Sequence, residues 1–387
     1  MPEYTGTFVS KLPRAGTTIF TVMSALANEC NAINLSQGFP NFPASPELID
    51  AVTQSMKAGN NQYAPMAGIL PLREVIAEKM QDLYGATYHP EKEITVTSGG
   101  TQAIYTAITC LVREGDEVVV FEPAYDCYVP AIELAGGIPV RLSLDYPAYK
   151  IDWEQVKKKI NSRTRIILIN TPHNPTGTVW SNDDMRELEK ITSGTDIVIL
   201  SDEVYEHILF DGLKHESVCK SPALAARSFV VFSFGKTYHT TGWKMGYCLA
   251  PEALMTEFRK CHQFIVFCSF SPVQYALADF MKQKDRYLGL PQFYQEKRDY
   301  FLKLLSGSAF TFTPASGSYF QLLNYAKISD EKDTDFAVRL TREAGVASIP
   351  VSVFYNHPDH AKVLRFCFAK TDETLERAAE RLLSLKN

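Results

Sequence analysis

The stretch "EITVTSGGTQAIYTAITCLVREGDEVVVFEP", residues 93–123, places a short β-rich run, a helical repeat and a second apolar run in succession. In its middle, Ala103/Ile104, Ala107/Ile108 and Leu111/Val112 recur every four residues and make one apolar helix face. The run "EVVVF" that follows does not alternate with polar residues. Such runs are strands buried on both faces, as in a mostly parallel sheet covered by helices. Outward from this unit come "IPVRLSL", "RIILINTP", "IVILSDEVY", "SFVVFSFGK" and "MGYCLAP", apolar runs separated by helical stretches. The pattern predicts an α/β fold, with a three-layer, mostly parallel sheet in a large domain over residues 45–290. Beyond it the texture changes. Helical "GLPQFYQEKRDYFLKLLSGS", strand-like "AFTFTPASGSYFQLLNY", a helix near 333–344, strand-like "VASIPVSVF" and "KVLRFCFAK", and helical "DETLERAAERLLSL" follow one another. These predict a smaller α+β domain built from residues 291–387 together with 1–44.

Bulk properties exclude several function classes. The chain has 387 residues, 45% of them hydrophobic and 21% charged, and a net charge of −5, the composition of an ordinary globular protein. Its 39 basic residues are scattered among 44 acidic ones, so no basic stripe offers itself to nucleic acid. No apolar run reaches the length of a membrane span, and the start "MPEYTGTFVSKLPRAG" lacks the apolar core of a signal peptide. The eight cysteines show no C-x-x-C spacing, which fits free buried thiols in a reducing, cytoplasmic compartment better than disulfides or a metal site. No metal is expected.

In an open α/β sheet, ligands bind beyond the carboxyl ends of the strands. Residues just after the apolar runs are therefore the candidates: Ser98-Gly99-Gly100-Thr101, Tyr125, Asn174 in "HNPTG", Asp202 and Tyr205 in "SDEVYE", and Ser233 with Lys236 in "SFGK". Glycines opening a helix let backbone N–H groups approach an anion at the positive end of the helix dipole. Taken singly, each motif has a plain structural reading as well: "SGGT" as a strand-to-helix turn, "HNPTG" as turn punctuation, Ser201 as a helix N-cap, and Lys236 as a snorkelling surface lysine. Asp202 ends a buried strand, where an unpaired carboxylate is costly, so a cationic partner is expected. Lys236 has a second cation, Lys244, eight residues on. A lysine that is desolvated or set near another cation loses proton affinity and becomes a nucleophile toward carbonyls.

Taken together, these motifs resemble the fold-type I pyridoxal-phosphate aminotransferases over roughly residues 12–385. "AINLSQGFPNF" and "NQYAPMAGILPLREVIAEK" are most similar to the branch containing kynurenine/glutamine transaminases and bacterial methionine aminotransferases. The resemblance implies pyridoxal 5'-phosphate as cofactor. Lys236 is then the amine that binds the cofactor aldehyde and shuttles the substrate proton, and Asp202 the partner of the pyridine nitrogen. Tyr205 and Asn174 contact the ring oxygen, Tyr125 stacks on the ring, and Ser233, Lys244, Gly100 and Thr101 hold the phosphate. Arg365 in "KVLRFCF" grips the substrate carboxylate, aided by Asn174, Tyr125 and Gly38. Tyr63 in "NQYAP" reaches the phosphate of a neighbouring subunit, which implies a homodimer. Many relatives have arginine where Lys244 stands, and lysine lacks the fork geometry.

The activity implied is ping-pong transfer of an amino group from an L-amino acid to a 2-oxo acid. No second arginine in a family motif offers itself to a dicarboxylic substrate, and "GTTIF" (16–20) and Tyr63 resemble pocket-lining elements, so methionine, aromatic or other apolar side chains are favoured. The alternative is a kynurenine transaminase or cysteine-S-conjugate β-lyase on the same scaffold.

Overall fold

The computed structural model describes residues 3–357 and 362–385. Seven strands form the large sheet: β1 (Ile94–Thr97), β2 (Glu117–Glu122), β3 (Ile138–Ser143), β4 (Thr164–Asn170), β5 (Val198–Asp202), β6 (Ser228–Ser233) and β7 (Gly246–Leu249). Their order across the sheet is β1-β7-β6-β5-β4-β2-β3. All neighbours are parallel except those of β7, which runs antiparallel to β1 and β6. The continuous apolar runs bury both faces of this sheet. Val119, Phe121, Ile167 and Ile169 point into one apolar core, while Val118, Val120, Ile166 and Leu168 point into another. The chain is therefore an α/β protein with a mixed, mostly parallel sheet between helical layers.

The shared strand direction positions chemistry. β4, β5 and β6 end at one edge with Asn170, Asp202 and Ser233, and Asn170 is the register partner of Asp202. β1 ends nearby and passes through Gly99, at φ +82°, into the helix Gly100–Leu111. Because β7 lies between β1 and β6, its first residue, Gly246, packs under that turn. A Cβ on Gly246 would stand 3.1 Å from the carbonyl carbon of Gly99 and 3.2 Å from the nitrogen of Gly100.

The C-terminal region carries an antiparallel sheet of β8 (Phe320–Asn324), β9 (Ile349–Pro350) and β10 (Val363–Cys367), with β10 in the middle. Ile33–Asn34 pairs in parallel with Val346–Ala347. A third apolar core joins Met23, Leu26 and Leu35 to Phe301, Phe336 and Leu375.

Three local expectations change. "AFTFTPASGSYFQLLNY" is not one strand. Pro314 lacks an N–H and Ser318 sits at φ +60°, so only Phe320–Asn324 pairs continuously. "VASIPVSVF" splits because its two halves serve different sheets: Val346–Ala347 joins Ile33–Asn34, Ile349–Pro350 joins β10, and Val351–Phe354 coils into a 3-10 turn. The helix near 333–344 is α-helical only over Asp333–Arg339 and widens into a π turn, Leu340–Ala344, closed by Gly345 at φ +69°.

Candidate active site

The strand ends converge on a cavity of about 240 Å³, whose wall includes Gly99, Gly100, Thr101, Tyr125, Asn174, Asp202, Tyr205, Ser233, Lys236, Lys244, Gly38 and Arg365. Of the predicted residues, Ser98 and Tyr63 are outside it. The Tyr63 side chain is 83% exposed and meets the edge of Phe267 at 5.3 Å. Of the segment 16–20, only Phe20 reaches the cavity.

The segment "SDEVYE" is not a helix start. Ser201 lies inside β5 and its hydroxyl donates to Glu203 at 2.7 Å, while Glu203 also bonds His215 at 2.7 Å and the Val218 N–H at 3.1 Å. Glu206 accepts from Lys79 and, at 2.6 Å, from the Tyr84 hydroxyl. These buried contacts turn Glu203 and Glu206 away from the cavity and leave Asp202 and Tyr205 facing it.

Asp202 is 3% exposed. The cationic partner expected for it is not supplied by an ion pair among the described residues. Its Oδ2 accepts instead from the Tyr128 hydroxyl at 2.6 Å, and its Oδ1 from the Val204 N–H at 3.3 Å. Burial pushes its pKa up to about 6, against the opposing pull of the Tyr128 bond, the Val204 N–H and Lys236. An uncompensated buried carboxylate of this kind favours a bound cation.

Lys236 is placed by Ser233, whose Oγ accepts the Lys236 backbone N–H at 3.3 Å and caps the short turn Phe234–Thr237. Its ammonium donates to the Tyr319 hydroxyl at 2.9 Å and to the Gly38 carbonyl at 3.2 Å. It also lies 5.4 Å from the ring centres of Tyr205 and Tyr319. Burial lowers its pKa to about 8, with the nearby charges of Arg365 and Lys244 adding to the effect. A neutral, nucleophilic amine is thus accessible near neutral pH. Burial also raises the Tyr205 and Tyr125 phenols above their ordinary range, so both remain protonated donors.

Arg365, on β10, is 1% exposed. Its Nη1 donates to Asn174 Oδ1 at 2.7 Å and its Nη2 to the Ser36 carbonyl at 2.9 Å, and its guanidinium carbon lies 3.9 Å from the Phe320 ring centre. Its buried Nε has no hydrogen-bond partner among the described residues. Burial lowers its pKa to about 10, which still leaves it charged at neutral pH. The helix Gly100–Leu111, whose first residues are also in the cavity wall, begins without a side-chain cap among the described residues. The ammonium of Lys244 lies 3.6 Å from where a Cβ on Gly99 would stand. Lys244 itself is in the left-handed region, at φ +54°, and forms no ion pair among the described residues.

Over residues 31–382 the chain matches the model of the family "Aminotransferase class I and II".

The chain belongs to the class I and II aminotransferases.

It is 49% identical over 377 residues to the methionine aminotransferase of Escherichia coli K12, covering 97% of this chain and 98% of that protein. It is 33% identical over 412 residues to a kynurenine–oxoglutarate transaminase of Dictyostelium discoideum, covering 96% and 94%. A crystal structure from E. coli, described as identifying a methionine aminotransferase function, superimposes with a TM-score of 0.96 at 48% identity, over 98% of this chain and all of that one. The protein is accordingly an enzyme of amino-group transfer with the fold-type I architecture, and its family is one that generally uses pyridoxal phosphate.

Four residues of this aminotransferase site were missed by the sequence reading. Asn170 obeys the strand-end rule, since it closes β4, and its amide donates to the Asp202 carbonyl while accepting the Asn174 N–H. Phe320 carried a weaker signal, in the run that contains β8. Tyr128 and Tyr319 carried none. Their roles arise from tertiary packing of hydroxyls against Asp202 and Lys236.

Proposed function

We propose that this aminotransferase binds pyridoxal 5'-phosphate and moves the amino group of methionine, an aromatic or another apolar L-amino acid to a 2-oxo acid. The reading is carried by one observation: a cavity whose wall brings together a lowered-pKa lysine, a buried carboxylate and a buried arginine Nε that have no ion pair and no hydrogen-bond partner, respectively, among the described residues, and an uncapped glycine helix start. Each unsatisfied group matches one part of the cofactor–substrate pair. The carboxylate suits a pyridinium, the helix start with Lys244 suits a phosphate, and the arginine suits a carboxylate.

When bound, the cofactor ring supplies an electron sink for the substrate Cα. Asp202 keeps the ring nitrogen cationic. Tyr205 donates to the ring oxygen, as does Asn174, whose Oδ1 is occupied by Arg365 and whose NH₂ is left as the donor. Tyr125 covers the ring face. Gly100, Thr101, Ser233 and Lys244 hold the phosphate. Lys236 would hold the cofactor and, as a free amine, would move the proton at substrate Cα. Arg365 binds the substrate carboxylate, with Gly38 on the adjoining loop. Phe20, Phe39 and Phe320 give the cavity an aromatic wall, which suits an apolar side chain and discriminates weakly among such side chains.

We further read the enzyme as a cytoplasmic homodimer. Tyr63, Phe264 and Phe270 are exposed apolar groups, consistent with a covering second copy to which Tyr63 contributes, and all eight cysteines are free. No helix among the described residues is long and apolar enough to cross a membrane. The division into a large domain, 45–290, and a small one formed by 1–44 with 291–387 is part of the same proposal. A second reading, kynurenine transamination or β-elimination from cysteine S-conjugates, draws support from the kynurenine-active relative; ammonia and pyruvate released from a cysteine conjugate would reveal the elimination.

The test is the visible spectrum of the purified holoenzyme during addition of single amino acids. Methionine and aromatic amino acids are expected to bleach the cofactor band and aspartate to leave it. A Lys236→Ala protein that still turned over would overturn the assignment.

A further inference from the structure

Tyr319 is fully buried and lies just before β8, in the turn "GSYF". Its hydroxyl donates to the Gly38 carbonyl at 2.5 Å and accepts from the Lys236 ammonium at 2.9 Å. Lys236 donates to the same carbonyl at 3.2 Å. A phenol has one proton, and here Gly38 takes it, so the oxygen is left to act as an acceptor toward the amine. Burial holds the phenol well above its ordinary pKa, so that proton is retained.

The consequence for Lys236 follows from the tetrahedral nitrogen. Two N–H bonds point to Tyr319 and Gly38 and a third bond runs to Cε. In the neutral amine the remaining direction, the lone pair, is turned away from both acceptors. The same loop is tied to the carboxylate-binding side, because Arg365 donates to the Ser36 carbonyl. Its close approach needs the glycine, since a Cβ at position 38 would stand 2.5 Å from the Phe320 ring.

We propose that Tyr319 is a positioning residue for the known reaction: with the Gly38 carbonyl it orients the free amine of Lys236, fixing which way its lone pair faces when it takes up a proton or attacks. This rests on the reading that Lys236 is the reactive amine. Tyr319 acts only through the Lys236 nitrogen, which its hydroxyl bonds at 2.9 Å.

The test is Tyr319→Phe in the cofactor-loaded enzyme. Loss of one hydrogen bond to the amine predicts a fall in kcat of about tenfold, with KM for the amino acid held within about twofold. An acceptor favours the charged ammonium over the neutral amine, so its removal moves the acid limb of the kcat–pH profile to lower pH. Repacking that relieved the burial of the amine would move that limb the other way, to higher pH. An unchanged kcat, or a fall in kcat with an unmoved limb, overturns the proposal. Borohydride labelling separates the two layers: a label on Lys236 in both proteins keeps the underlying reading intact whatever the kinetics, whereas its absence in the wild type removes that reading. Should the phenylalanine variant misfold, 3-fluorotyrosine at position 319 fills the same space with a weaker acceptor. It predicts a smaller displacement of the limb in the same direction, and no displacement overturns the proposal.

Discussion

Asp202→Asn is predicted to stabilise the cofactor-free protein while severely slowing turnover. Burial lifts this carboxyl from an ordinary 3.8 to about 6. At about 1.4 kcal/mol per pH unit, holding it ionised near neutral pH costs the folded chain roughly 3 kcal/mol. The sign follows from proton counts. Across the window from about pH 4 to 6 the unfolded chain has released this proton and the folded chain has not, so stability falls as pH rises. An asparagine can keep its oxygen on the Tyr128 hydroxyl but turns its NH₂ toward the Val204 N–H, which now bonds Oδ1 at 3.3 Å. Losing that bond takes back about 1 kcal/mol, which leaves a net gain of roughly 2 kcal/mol above the window. The assay is urea unfolding of cofactor-stripped wild type and variant at about pH 4.5 and about pH 7.5. The variant's advantage should be clear at the higher pH and mostly gone at the lower. In the loaded enzyme the same change removes the anion facing the ring nitrogen, and kcat should fall by roughly 100- to 1000-fold. A variant less stable than wild type at both pH values, or one that keeps its activity, would refute the reasoning.

Three further outcomes are expected. Tyr128→Phe removes the 2.6 Å bond to Asp202 and should lower kcat about tenfold, measured by steady-state kinetics with methionine. Arg365→Lys loses the fork that bonds Asn174 and Ser36 and should raise KM for the amino acid by roughly 100-fold, with cofactor content by absorbance unchanged. Gly246→Ala puts a methyl 2.6 Å from the Phe232 carbonyl and against the Gly99–Gly100 turn, so equilibrium dialysis should show pyridoxal phosphate binding weakened by an order of magnitude or more, about 1.4 kcal/mol.

The large sheet was legible because a strand buried on both faces must be apolar through its middle, as residues 118–121, 166–169, 198–200 and 229–232 are. Their shared direction places Asp202, Ser233 and Lys236 on one side of the sheet. The C-terminal region was harder. Its strands are two to five residues long, too short for periodicity to mark, and its pairing depends on a partner more than 300 residues away, as when Ile33 meets Val346. The protein group that bonds Asp202 was illegible for a related reason. Local sequence reports that a carboxylate is buried, but it does not report that a tyrosine hydroxyl from 74 residues earlier, at the start of the helix Tyr128–Leu134, will meet it. Asn170 was within reach of the strand-end rule and was passed over in favour of Asn174.

The account depends most directly on where the cofactor aldehyde attaches. Borohydride reduction of the native holoenzyme, followed by proteolysis and mass mapping, should place a single pyridoxyl group on Lys236. A label on Lys244 or on any other lysine, or no label at all, would contradict it.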